Sequence, residues 1–115
     1  ANAIGAVSGS VIQTVHLQIA PVDGGEKVRL YSPEGVWEFG LLEEAREWAM
    51  EVGRRLAEQR AREAGADKVE IQEDENHHYL QLASGWGDKL YMGSDMVFTA
   101  VGRPRLIVFE NMREG

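Results

Sequence analysis

"LLEEAREWAMEVGRRLAEQRAREAGAD", residues 41–67, is the stretch from which the fold reads outward. Leu42, Ala45, Ala49, Val52 and Leu56, with Trp48 and Ala57 beside them, recur every three to four residues, the spacing that lays side chains along one face of an α-helix. Glu43, Glu44, Glu47, Arg54, Arg55, Glu58, Arg60 and Arg62 fill much of the remaining surface. The acidic residues come first and the arginines later, which complements the helix dipole, and Gly65 can adopt the left-handed conformation that ends a helix. The pattern predicts a long amphipathic helix from Leu41 to Ala64, with the Ala45, Trp48, Ala49, Val52 and Leu56 stripe laid across one face of a sheet.

Upstream of the helix the period changes to two. In "VIQTVHLQI", Val11 to Ile19, Val15, Leu17 and Ile19 fall on one face and Thr14, His16 and Gln18 on the other, as in a half-buried strand. Pro21 and the "DGG" at Asp23 to Gly25 turn the chain into "KVRLY", a second alternating strand. "SPEG" then places Pro33 second and Gly35 last in a four-residue turn that leads into "VWEF". The first third therefore reads as a β-meander. Downstream, "KVEIQ" at Lys68 to Gln72 is a short alternating strand, and "HYLQLA" and "KLYMG" are strand candidates around a "SGWGD" turn. "MVFTAVG" at Met96 to Gly102 fits either a buried strand or the start of a helix, because an apolar run this short does not separate the two. The tail, Arg105 to Gly115, is a last strand or a loosely docked end. The expected class is α+β: a mainly antiparallel sheet with one long amphipathic helix packed on one face.

Totals bound the function. A chain of 115 residues is the length of one domain and buries roughly two thirds of its unfolded surface, enough for one core. Lys and Arg number 12 against 19 Asp and Glu, and the net charge of -7 argues against nucleic acid or an anionic membrane as partner. Without cysteine there is no disulfide, thiolate nucleophile or Cys-ligated metal. No apolar run approaches the roughly 20 residues that span a bilayer, and the N-terminus lacks the basic-then-apolar pattern of a secretory signal. The chain is read as cytoplasmic.

Chemistry-bearing residues are sparse. "EDENHHYL" offers Glu73, Asp74, Glu75, His77 and His78 as metal donors, but adjacent histidines on a strand point to opposite faces, and a solvated acidic loop between two strands is the expectation. "SGWGDK" lacks the spacing of a phosphate-binding loop and reads as a hairpin turn. Ser8 and Ser10 have no positioned base, and His16 is expected to be exposed or bonded across the strands. Trp37, Trp48 and Trp86 are packing or interface residues, Trp86 being the one placed at a surface. No catalytic, cofactor-binding or metal-binding residue is assigned.

Two short motifs carry a resemblance. The opening "ANAIGAV", with small residues at Ala1, Ala3, Gly5 and Ala6, and "AVGRP" at Ala100 to Pro104 flank an order of strands, helix and strand that resembles the C-terminal region of the hydantoinase A/5-oxoprolinase family. In that family the "ANAIGA" stretch resembles the end of an actin-like ATPase domain, and Asn2 and Gly5 match a segment near the nucleotide-bearing domain. The resemblance implies that residues 1–10 are the end of such a domain and 11–115 a C-terminal α+β domain of a larger polypeptide. It implies an ATP-dependent cyclic amide hydrolase as parent, in which ATP activates the amide carbonyl by phosphorylation. ATP and a divalent metal would belong to preceding segments of that parent, and none to this chain. The expected partners are the remainder of the parent polypeptide and, as an option, another copy of the chain. The alternative is an independent small cytosolic binding module that holds a ligand or partner on its sheet, with Trp86 and the "EDENHH" segment at the rim.

Overall fold

The long helix forms where its period places it. In the computed structural model, which describes residues 10–82 and 89–104, α1 runs Leu42–Glu63. Leu41 stands in extended backbone at its start and makes no side-chain cap, so Glu43 and Glu44 in the first turn supply the negative charge that the exposed N–H groups favour. At the other end the Ala64 N–H donates to the carbonyls of Arg60 and Ala61, at 3.0 and 3.2 Å, and Gly65 takes a φ of 105° that a side chain would resist. Ala45, Ala49, Val52, Gly53, Leu56, Ala57 and Ala61 are its buried face. Most of these are small, which lets the helix axis approach the sheet closely.

Trp48 departs from the expected stripe. It is 40 % exposed and stands at the flank of the helix, edge-on to Trp37 with ring centroids 6.0 Å apart. Ala45 and Ala49 already fill the near face, and an indole does not fit the narrow gap that alanines create. Gly53, absent from the predicted stripe, lies on it because the Phe98 ring occupies the space where a Cβ would be.

The sheet has five antiparallel strands in the order β3-β2-β1-β5-β4. These are β1 Val11–Val22, β2 Lys27–Ser32, β3 Gly35–Phe39, β4 Ala66–Gln81 and β5 Lys89–Pro104. The meander of β1 to β3 is as the alternation predicts, although β1 runs on through Pro21, which faces Val28, and turns only at Asp23–Gly25. Ser32 closes the next turn: its Oγ accepts from the Glu34 and Gly35 N–H groups at 3.1 and 3.2 Å.

Two expectations about the second half change. The acidic segment is not a loop: Lys68 to His78, including Glu73, Asp74, Glu75 and His77, forms one continuous ladder with β5, which resumes after a bulge and runs to Gln81. Two of its carboxylates are neutralised by helix arginines, Glu73 by Arg54 and Glu75 by Arg46, so strand pairing is not opposed by a row of free charges. "MVFTAVG" is strand, with Met96, Phe98 and Ala100 buried under the helix while Val97, Thr99 and Val101 are half-buried on the other face. Apolar residues on both faces erase the alternation that would have identified it.

The core lies between α1 and the inward face of β1, β2 and β5, where Val15, Leu17, Ile19, Leu30, Met96 and Phe98 are buried. On the opposite face, Ile12, Thr14, His16 and Gln18 alternate with them, and no described element covers that side. The β1–β5 pairing ends at Ile19 and Ser94, whereas β4 and β5 stay paired as far as Gln81 and Lys89. Their ends form a two-stranded arm, offset by a bulge between His78 and Tyr79, on which Tyr79, Leu80, Leu90 and Met92 are exposed. No described helix is long and apolar enough to cross a membrane. The N-terminal segment 1–9, the "SGWGD" turn, and the tail from Arg105 lie outside the described residues.

Candidate functional site

The densest polar arrangement sits at the base of the arm. Glu75 and His77 alternate along β4 and project to the helix side, and Ser94 lies directly across from His77 on β5. His77 Nδ1 is 2.6 Å from Ser94 Oγ, and His77 Nε2 is 3.3 Å from Glu75 Oε2. Tyr91 Oη is 2.5 Å from the same Ser94 hydroxyl, and its ring meets Tyr79 edge-on at 5.8 Å. Arg46, one turn into α1, donates to both Glu75 oxygens, at 2.5 and 2.9 Å. The guanidinium holds the Glu75 carboxyl below the usual carboxylate range, and burial raises the Tyr91 phenol.

Hydroxyl, imidazole and carboxylate in series are the parts of a nucleophilic triad, which works only if the hydroxyl meets a substrate and the carboxylate polarises the imidazole. Neither condition holds here. Ser94 is 1 % exposed and shared with Tyr91, and Glu75 is engaged in a bidentate pair with Arg46. The arrangement instead ties three elements together, because α1, β4 and β5 each contribute to one hydrogen-bonded chain. The sequence reading missed it by treating residues 73–78 as loop; the two-residue spacing of Glu75 and His77 was the available signal, while nothing local marks Ser94.

The other polar positions are shallower. On the open face, His78 Nε2 is 2.7 Å from Asp95 Oδ2, and His77 and His78 do point to opposite sides of the strand. His16, exposed as expected, borders a cleft of about 500 Å³ with Gln18, Tyr31, Asp95 and Val97. Phe39 and Trp48 line another of about 560 Å³ with Glu44, Glu47 and Glu51. Among the described residues no three His, Asp or Glu side chains converge to hold a metal ion. Ser10 is half-buried beside Lys68, Glu70 and Arg103; Asn2, Gly5, Ser8 and Trp86 lie outside the described residues.

Among the described residues, fold and site together define an α+β domain with its helix on one face of the sheet and a two-stranded arm tied to that helix. No protein-family model, curated protein or solved structure matches the chain.

Proposed function

We propose that this chain is a non-catalytic C-terminal domain of an ATP-dependent, hydantoinase/5-oxoprolinase-like cyclic amide hydrolase, where it completes the scaffold or an interface. The reading comes from the "ANAIGAV" and "AVGRP" resemblance, and one observation carries it further: the arm exposes Tyr79, Leu80, Leu90 and Met92 together. Large side chains concentrated at one projecting element suit docking against other protein surface. ATP and metal chemistry would reside in preceding segments of the parent, and the Arg46–Glu75–His77–Ser94 chain would hold the arm at a fixed angle to the helix.

A second reading, an independent binding module, is favoured by the sheet face that no described element covers, with its cleft between His16, Tyr31 and Asp95. The two readings separate in the gene. The coding frame upstream of Ala1 is expected to continue into glycine-rich, Asp-bearing ATPase segments, and the purified chain is expected neither to hydrolyse ATP nor to open hydantoin. Turnover by the chain alone, abolished by Ser94→Ala, would overturn the proposal.

A further inference from the structure

The two edges of the sheet are unlike. β3 is short, Gly35–Phe39, and the turn before it carries Pro33 and a Glu34–Arg55 ion pair of 2.7 Å. Such devices blunt an edge against further strand pairing. β4 forms the other edge over Ala66–Gln81; it has no proline, and from Lys68 to His78 it pairs with β5 without interruption. Among the described residues, no strand pairs with its outer side. A long regular row of backbone donors and acceptors is therefore left open.

Charge restricts what can cover it. Toward the helix, Glu73 and Glu75 are already paired with Arg54 and Arg46, and Val69 and Ile71 pack against the core. On the open side Lys68, Glu70, Gln72 and Asp74 are exposed, and none of them makes an ion pair among the described residues. Two copies related by a two-fold axis normal to the sheet would pair antiparallel, with each residue opposite one on the same face. Centring the axis on Glu70, Glu73 or Asp74 sets that acid against itself, centring it on Gln72 sets Glu70 against Asp74, and centring it on Val69 pairs Lys68 with Glu70 but overlaps only residues 66–72, across the irregularity between Ala66 and Lys68. Centring it on Ile71 sets Lys68 opposite the second copy's Asp74, twice by symmetry, with Glu70 opposite Gln72 and the two Ile71 side chains together. Opposite charges across a strand pair stabilise it and like charges oppose it.

We infer that two copies of this chain join through their β4 edges, antiparallel and centred on Ile71, doubling the sheet, with Lys68 of each paired to Asp74 of the other. The inference stands whether or not the domain ends a larger polypeptide.

The absence of native cysteine allows a direct test of register. Directly opposed residues in an antiparallel pair lie within disulfide reach. A mixture of Glu70→Cys and Gln72→Cys chains should therefore cross-link as a mixed dimer faster than either variant does alone. In sedimentation equilibrium, Lys68→Asp and Asp74→Lys should each weaken the dimer about tenfold, since two attractive cross-strand pairs become repulsive. The double swap Lys68→Asp/Asp74→Lys should restore it, with circular dichroism confirming that each variant is folded. If a single variant does not fold, amide exchange on the unaltered chain decides: β4 amides that do not bond to β5 should slow as concentration rises. A chain that stays monomeric, β4 amides already protected in the monomer, a dimer indifferent to the swaps, or self-cross-linking of Gln72→Cys alone would overturn the inference.

Discussion

Gly53 is where a single hydrogen atom decides how closely the helix approaches the sheet. A methyl group added there would overlap the ring of Phe98, itself 1 % exposed and hemmed in by the core. Alanine is the better helix former by roughly 1 kcal/mol, so an exposed helix position would gain from the change. Here the gain is outweighed, because an extra carbon in a filled core forces side chains off their rotamers or the backbone apart. Gly53→Ala is expected to destabilise the chain by about 1–3 kcal/mol in a denaturant melt. An unchanged or raised midpoint would show that the Phe98 ring can move aside at little cost. Trp48, five residues earlier, shows the converse: its indole is accommodated at the flank because half its surface need not be buried.

At the scale of one element, the helix is held mainly by its apolar stripe, since a helix of this length gains little stability from backbone propensity alone in water. Leu56 is the largest aliphatic side chain of the buried stripe and is 7 % exposed. Replacing it by alanine removes that burial and leaves a cavity that the small neighbours Gly53 and Ala57 cannot fill. The expected cost is about 2–5 kcal/mol, a large share of the stability of a small domain. Trp48→Ala, although it deletes more atoms, should cost less than Leu56→Ala in the same melts, because 40 % of the indole is already in water. The reverse order would mean that the Trp37–Trp48 contact is the stronger attachment.

For the whole molecule, three arginines of one helix fasten it to separate parts of the sheet: Arg46 to Glu75 and Arg54 to Glu73 on β4, and Arg55 to Glu34 in the turn before β3. Exposed pairs of this kind contribute little individually. The Arg46–Glu75 pair differs because it is bidentate and both side chains are partly buried, Arg46 31 % and Glu75 24 % exposed. The Glu75 pKa in the folded chain is below the ordinary value of 4.5, chiefly through the Arg46 hydrogen bonds, so the unfolded chain binds the proton more readily. That contribution is fully present above the ordinary value and is lost as the pH falls through the lower, folded one. Stability should accordingly decline in acid below about pH 4.5. Glu75→Gln should be less stable than the unaltered chain at neutral pH and show a shallower acid decline. Parallel curves for the two proteins would show that this carboxyl does not couple folding to pH.

The helix and the first three strands were determined by the sequence itself, because periodicity records which side chains must face a core. Leu42 through Ala57 could satisfy that requirement only as a helix, and Val15, Leu17 and Ile19 only as one face of a strand, whatever lay opposite. The antiparallel α+β class followed from those elements. In the second half the alternation of Lys68 to Gln72 also marked a strand, and tertiary structure alone decided two other stretches. Glu73 to His78 are strand because Arg46 and Arg54 arrive from the helix to balance their charge and β5 supplies a ladder, partners distant in sequence that no local pattern announces. Met96 to Gly102 are strand because β1 and β4 pair with them on either side, and apolar residues on both faces, buried under the helix at Met96, Phe98 and Ala100 and half-buried opposite at Val97 and Val101, remove the alternation. The joining of Ser94, His77 and Glu75 depended on the same register, since a shift of one residue between β4 and β5 would have sent Ser94 and His77 to opposite faces. Local sequence encodes which face of an element is apolar, whereas pairing between distant strands and charges is fixed only when the whole chain brings them together.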